Sequence, residues 1–149
     1  MHSNPSNVQA SHCHFTPSQQ NVFYIRSKLS TQDNPLYLDV TQGDQLHGQR
    51  VIVNRFNNSD TQQWIVSNTG FIRPIANKKL VMDVKNQTGP EVILYHQNSG
   101  NNQLWSVKGD VIFSDIAGGK CLDVENEKKI PGTRVIVYQY LNQRNQQWE

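Results

Sequence analysis

Residues 134–148 read Arg134-Val135-Ile136-Val137-Tyr138-Gln139-Tyr140-Leu141-Asn142-Gln143-Arg144-Asn145-Gln146-Gln147-Trp148, an apolar run that closes on Gln-x-Trp. The same fifteen-position segment occurs twice more without gaps. One copy runs from Arg50-Val51-Ile52-Val53-Asn54 to Gln62-Gln63-Trp64, the other from Glu91-Val92-Ile93-Leu94-Tyr95 to Gln103-Leu104-Trp105. Trp64, Trp105 and Trp148 are the only tryptophans, spaced 41 and 43 residues apart. Upstream of each copy stands an apolar-Asp-Val step: Leu38-Asp39-Val40, Met82-Asp83-Val84 and Leu122-Asp123-Val124. Further upstream lie three strand-like openings, Phe23-Tyr24-Ile25-Arg26, Gly70-Phe71-Ile72-Arg73 and Asp110-Val111-Ile112-Phe113. The chain is therefore a threefold internal repeat from residue 22 onward.

Each unit holds four short runs rich in Val, Ile, Leu, Tyr and Phe, separated by Gly, Asn, Asp, Ser and Pro, and no stretch shows a 3.6-residue apolar period. Three units of four strands predict twelve strands. A three-bladed propeller falls below the usual blade number, and a three-unit solenoid leaves open ends that need caps. A closed barrel with threefold pseudosymmetry removes the strand edges. The predicted fold is all-β, a β-trefoil over residues 22–149 with repeats at about 22–68, 69–108 and 109–149.

Composition narrows the function. The chain has 149 residues, enough for one domain. A mean hydropathy of −0.66 with no long apolar run predicts no membrane insertion. Fourteen basic and twelve acidic residues are scattered, giving a net charge of +2. Without a clustered basic face, nucleic acid is not an expected partner. Asn and Gln make up about a fifth of the chain, and uncharged amides that both donate and accept suit a surface that reads hydroxyl groups.

Residues 1–21 are rich in Ser, Asn, Gln and Pro and read as a flexible polar tail. Its His12-Cys13-His14 cluster could hold a metal, but adjacent residues converge on one ion only with strain, so no metal site and no cofactor are expected. Two cysteines, Cys13 and Cys121, make no disulfide framework. The sequons at Asn57 and Asn86 matter only for a secreted chain. The opening residues carry no basic and apolar leader pattern, so a cytoplasmic location is expected, with release by a non-classical route and extracellular action left open.

Three Gln-x-Trp repeats in register with three Leu-Asp-Val-like steps, together with Gly132-Thr133-Arg134-Val135-Ile136-Val137-Tyr138, resemble the ricin-B-type (R-type) lectins over residues 22–149. The run Val22-Phe23-Tyr24-Ile25-Arg26-Ser27-Lys28-Leu29 is most similar to the opening of invertebrate galactose-binding members. The resemblance implies that the Trp of each motif fills the core and the Gln anchors a turn. A large apolar ring repeated in every unit independently reads as core. Cys121 falls where disulfide-bearing members have a half-cystine, but the partner place holds Tyr140, so the intra-repeat disulfides of such members are absent here.

The resemblance also implies where sugar would bind. An aromatic ring stacks on the C–H face of a sugar. A carboxylate accepts from two neighbouring hydroxyls, and amides test the remaining hydroxyl geometry. In the second repeat these places fall on Asp83, Tyr95, Asn98, Asn102 and Gln103. In the third they fall on Asp123, Tyr138, Asn145 and Gln146; Leu141 stands at one polar place, where the hydrogen bond either comes from Asn142 beside it or is missing. The first repeat keeps Asp39, Asn57 and Gln62, but has Asn54 in the aromatic place and Thr61 for the Asn, so it is expected to be weak or silent unless Phe56 swings in. Where many members carry a Gln two residues before the aromatic, this chain has Ile52, Ile93 and Ile136.

Each residue alone has an ordinary structural explanation, an Asp capping a turn or a Tyr ending a strand; Asp, Tyr and Asn at fixed offsets in two repeats carry the functional one. The expectation is a non-catalytic, multivalent lectin and agglutinin for terminal galactose or N-acetylgalactosamine (GalNAc), with galactose-containing glycoproteins or glycolipids as partners and homodimerisation left open. The alternative is a non-sugar-binding trefoil that acts as a protein-interaction module or protease inhibitor. No Gly-x-Ser-x-Gly, His-Glu-x-x-His or phosphate-loop motif suggests an enzyme.

Overall fold

The computed structural model of the protein describes residues 2–3, 21–116 and 118–149. Most of the tail expected at 1–21, including His12-Cys13-His14, lies outside the described residues. Strands β1 (His2–Ser3), β2 (Val22–Tyr24), β3 (Leu36–Val40), β4 (Val51–Arg55) and β5 (Trp64–Val66) come first. The second repeat supplies β6 (Ile72–Pro74), β7 (Leu80–Val84), β8 (Val92–His96) and β9 (Trp105–Lys108). The third supplies β10 (Val111–Ser114), β11 (Lys120–Val124) and β12 (Val135–Gln139). Its fourth strand is reduced to a bridge, Ser27↔Trp148, while β1 adds to the edge of β2. No α-helix occurs among the described residues; short 3-10 turns link the strands.

The first and third repeats meet where the barrel closes. Arg26 and Glu149 exchange backbone hydrogen bonds of 2.8 Å in both directions, and their side chains form an ion pair. Three antiparallel hairpins, β3–β4, β7–β8 and β11–β12, cap one end. They are joined by a cyclic set of bridges, Arg50↔Ile93, Glu91↔Ile136 and Arg134↔Ile52, so each hairpin leans on the next around the axis. The approach is close: a Cβ on Gly89 would sit 2.9 Å from Val137 Cγ2, and the positive φ of 73° there also favours glycine.

Strand alternation divides each hairpin into a core face and a site face. Leu36, Leu38, Val40, Val51 and Val53 turn inward, as do Leu80, Met82, Val84, Val92 and Leu94, and Leu122, Val124, Val135 and Val137. Trp64, Trp105 and Trp148 complete this core. Each indole Nε1 donates to a carbonyl of its own repeat, Leu38 at 3.1 Å, Met82 at 3.1 Å and Leu122 at 3.4 Å, so the ring is buried without leaving its donor unpaired. The opposite face carries the aspartates.

Candidate functional site

In all three hairpins the Asp stands directly across the ladder from an Ile: Asp39↔Ile52, Asp83↔Ile93 and Asp123↔Ile136. Two residues further along the same face come Asn54, Tyr95 and Tyr138. The isoleucines that replace a family glutamine are buried, and form the cyclic bridges between hairpins. They give each site an apolar floor held by the neighbouring repeat.

Behind every Asp lies one repeated device. The Gln of Gln-x-Trp is fully buried and bonds in three directions. Nε2 of Gln62, Gln103 and Gln146 donates to the carboxylates of Asp39, Asp83 and Asp123 at 3.1, 2.8 and 3.0 Å. The same nitrogen donates to the carbonyls of Arg55, His96 and Gln139 at 2.6, 2.7 and 2.8 Å. Oε1 accepts from the backbone N–H of Asn57, Asn98 and Leu141 at 3.0, 2.7 and 2.8 Å. Gln103 and Gln146 thus orient the carboxylate and the loop after the aromatic strand from below, with no surface of their own to offer a ligand.

The second and third repeats keep an open site. Asp83 and Asp123 are each 4% exposed, while Tyr95 and Tyr138 present 41% and 51% of their surface. Asn145 Nδ2 donates to Asp123 Oδ1 at 3.2 Å and to the Val124 carbonyl at 3.1 Å. Asn102 Nδ2 donates to the Val84 carbonyl at 3.1 Å. With the nitrogens so fixed, Oδ1 of Asn102 and of Asn145 is left buried without a hydrogen-bond partner. Such orphaned acceptors are costly. Asn98 is exposed, and its Oδ1 accepts from Gly100 N–H at 2.7 Å. Asn142, at a positive φ of 56°, accepts from Tyr140 Oη at 2.9 Å through its own Oδ1.

A cavity of about 240 Å³ opens over the third site, with Asp123, Tyr138 and Asn145 in its wall. Glu127 and Gln143 also line it, and neither was legible as a site residue, because each is brought there by a loop bend that no apolar pattern marks. In the second site a different neighbour arrives across the repeat boundary: the His47 ring packs 4.6 Å from that of Tyr95, tilted by 37°.

The first repeat differs in kind. Asp39 is fully buried, and Val40 N–H, Asn54 Nδ2 and Gln62 Nε2 all donate to it. Asn54 therefore occupies the carboxylate from the place where the other two repeats carry a tyrosine. Thr61 bonds Ser59 rather than the Asp. The aromatic has crossed the ladder: Tyr37 stands opposite Asn54, where Val81 and Cys121 face Tyr95 and Tyr138. Phe56, the candidate for swinging in, packs edge-on against Tyr24 and Tyr37 at 5.2 and 5.6 Å.

Electrostatics follow burial. Desolvation pushes the Asp123 carboxyl up to about 6, against the hydrogen bonds from Gln146 and Asn145 and with added repulsion from Glu127 and Glu125. Burial also raises Asp83, opposed by Gln103, Asn102 and the nearby His47. Cys121 is a free buried thiol pushed up to about 12, first by desolvation and then by Asp123, which leaves it unreactive at neutral pH. No group of three or more His, Cys, Asp or Glu able to hold a metal occurs among the described residues. No helix among them is long and apolar enough to cross a membrane.

The sequence model of the ricin-type β-trefoil lectin domain matches residues 26–148, and the chain belongs to that family. Among solved structures it is similar to the designed threefold-symmetric protein ThreeFoil, at 29% identity and a TM-score of 0.71, covering 86% of this chain and 96% of that one. The C-half of the earthworm R-type lectin, solved in complex with GalNAc, superimposes with a TM-score of 0.73 at 20% identity, over 88% of this chain and 97% of that one. The exo-β-1,3-galactanase 1,3Gal43A from Clostridium thermocellum contains a similar fold, with a TM-score of 0.71 at 23% identity; 91% of this chain covers 31% of that larger one. No curated protein sequence matches the chain.

Proposed function

We propose that this protein is a non-catalytic lectin that takes terminal galactose or GalNAc in the second and third repeats, at Asp83/Tyr95 and Asp123/Tyr138, and links glycans by holding two at once. The observation that carries this reading is the duplicated set of exposed ring, stapled carboxylate and buried Asn whose Oδ1 lacks a partner. The ring covers the C–H face of a hexose and the carboxylate, held from below by the buried Asn and Gln amides, accepts from vicinal hydroxyls. The GalNAc complex of the earthworm lectin lends support to the sugar class. The first repeat, its carboxylate closed by Asn54, contributes no site in this reading.

A hexose has about twelve non-hydrogen atoms; at roughly 0.3 kcal/mol each, one site supplies about 4 kcal/mol, a Kd near 1 mM. Two sites on one rigid body raise the effective affinity for a glycan-coated surface without any new contact. The test is a glycan array probed with the full-length protein, with free galactose as competitor. Binding to terminal galactosides that galactose abolishes is expected. A folded protein that binds no glycan refutes the reading and turns attention to protein partners.

A further inference from the structure

The two open sites differ in charge, and the difference rests on one backbone bend. After the Asp strand, Asn126 and Glu127 both adopt left-handed conformations, with φ of 57° and 56°. The second repeat makes the same bend at Asn86 and Gln87, with φ of 56° and 66°. The fold thus fixes where this residue sits, and the sequence chooses what it carries: Gln87 in one site, Glu127 in the other, Gly43 at the corresponding place in the first repeat.

Glu127 lines the same cavity as Asp123, Tyr138 and Asn145. None of the ion pairs among the described residues involves it. Glu125, two residues earlier, is neutralised by Arg134, whose Nε and Nη2 reach its carboxylate at 2.7 and 2.6 Å. Asn145, only 4% exposed, adds the orphaned Oδ1, and its Nδ2 is already committed to Asp123 and Val124, so the amide cannot turn to offer a donor. The cavity therefore gathers two carboxylates around one aromatic ring, with the buried Asn145 amide in its wall holding Asp123 in place.

From this arrangement we infer that the third-repeat site selects hexosamines bearing a free ammonium over neutral and acidic sugars, with Glu127 as the specificity-determining residue. The inference rests on the lectin reading above and adds the ligand class for one site. An ammonium brings three donors and a positive charge to a pocket that presents acceptors and negative charge, whereas a hydroxyl brings one donor and no charge. A sugar carboxylate would add a third anion beside Asp123 and Glu127 and meet repulsion. The Glu127 carboxylate also opposes ionisation of Asp123, and a bound cation relieves both. The second site has Gln87 in place of that carboxylate and His47 against its ring, so it carries no such preference.

The test is an NMR titration of the full chain near pH 7, below the pKa of an α-amino-type ammonium, with galactose, galactosamine and galacturonate as probes. Side-chain amide signals of Asn145 and Asn102 report the third and second sites separately. At Asn145, galactosamine is expected to bind about fivefold tighter than galactose, and galacturonate about fivefold weaker. Glu127→Gln is expected to bring all three within about twofold. This variant is tolerated by the backbone, since Gln87 already occupies the equivalent conformation. Equal affinity for galactose and galactosamine at Asn145, or a preference unchanged by Glu127→Gln, overturns the inference while leaving the lectin reading intact. If no sugar moves either signal, the lectin reading falls and takes the inference with it.

Discussion

Replacing Asp123 by asparagine separates what the site needs for binding from what the fold needs for stability. Burial raises this carboxyl from 3.8 to about 6, so the folded protein prefers the protonated form. The stabilisation that preference provides is fully present below about pH 4 and is lost as pH rises through about 6. A shift of about two units corresponds to roughly 3 kcal/mol of stability that is missing at neutral pH. The substitution removes the charge but turns an amide nitrogen toward either Gln146 Nε2 or Asn145 Nδ2, both already donors. One hydrogen bond is lost, at about 1 kcal/mol. Asp123→Asn should therefore stabilise the fold by about 1–2 kcal/mol at pH 7.5 and destabilise it by about 1 kcal/mol at pH 4, while abolishing sugar binding in the third repeat. Urea unfolding of both proteins at the two pH values measures this directly. A ΔΔG of the same sign and size at both would show that the carboxylate is not held against its ionisation, and the reasoning would be wrong.

Other expectations follow from the same geometry. Tyr95→Ala and Tyr138→Ala each remove an exposed stacking ring, so unfolding free energy should stay within about 0.5 kcal/mol while calorimetry shows about a tenfold affinity loss at the altered site. Either substitution leaves one open site and should end agglutination of galactose-bearing cells, scored by titre, without ending binding to immobilised galactose. Gln146→Ala removes the partners of Asp123 Oδ2, the Gln139 carbonyl and the Leu141 N–H together, leaving Asn145 on Asp123 Oδ1; a loss of about 2–4 kcal/mol by denaturant unfolding is expected. Binding in the third repeat should weaken as pH falls through about 6, as Asp123 takes up a proton, with fluorescence titration of the Tyr95→Ala protein isolating that site.

The architecture was legible because its determinants are local and occur three times. Gln-x-Trp and Leu-Asp-Val mark the core ring and the aspartate in every unit, and their in-register spacing is enough to imply threefold closure. Asp and Tyr could be placed because strand register fixes them, and Asn102 and Asn145 because each sits in a short 3-10 turn three residues before the motif's tryptophan. The parts that could not be read depend on contacts between segments distant in sequence, or on side-chain direction in loops. His47 reaches Tyr95 only because one hairpin leans on the next. Glu127 reaches Asp123 only through two consecutive left-handed residues. In the first repeat the substitution of Asn54 was visible, but not that its amide would turn inward and close the carboxylate, nor that Tyr37 would gather Tyr24 and Phe56 on the other strand.

The cyclic bridges Arg50↔Ile93, Glu91↔Ile136 and Arg134↔Ile52 have a mechanical meaning. Each isoleucine stands across the ladder from the Asp of its own hairpin and also fastens that hairpin to an adjacent one, so one aspartate face cannot widen without loosening its neighbour. A ligand too bulky for one repeat would strain all three, and the ring resists as a keystone arch resists the spreading of one stone. In the proposed lectin, change in the range of accepted sugars is thereby channelled to the rim, to places such as 87 and 127 that lie outside the ring, where charge can vary while the masonry beneath stays fixed.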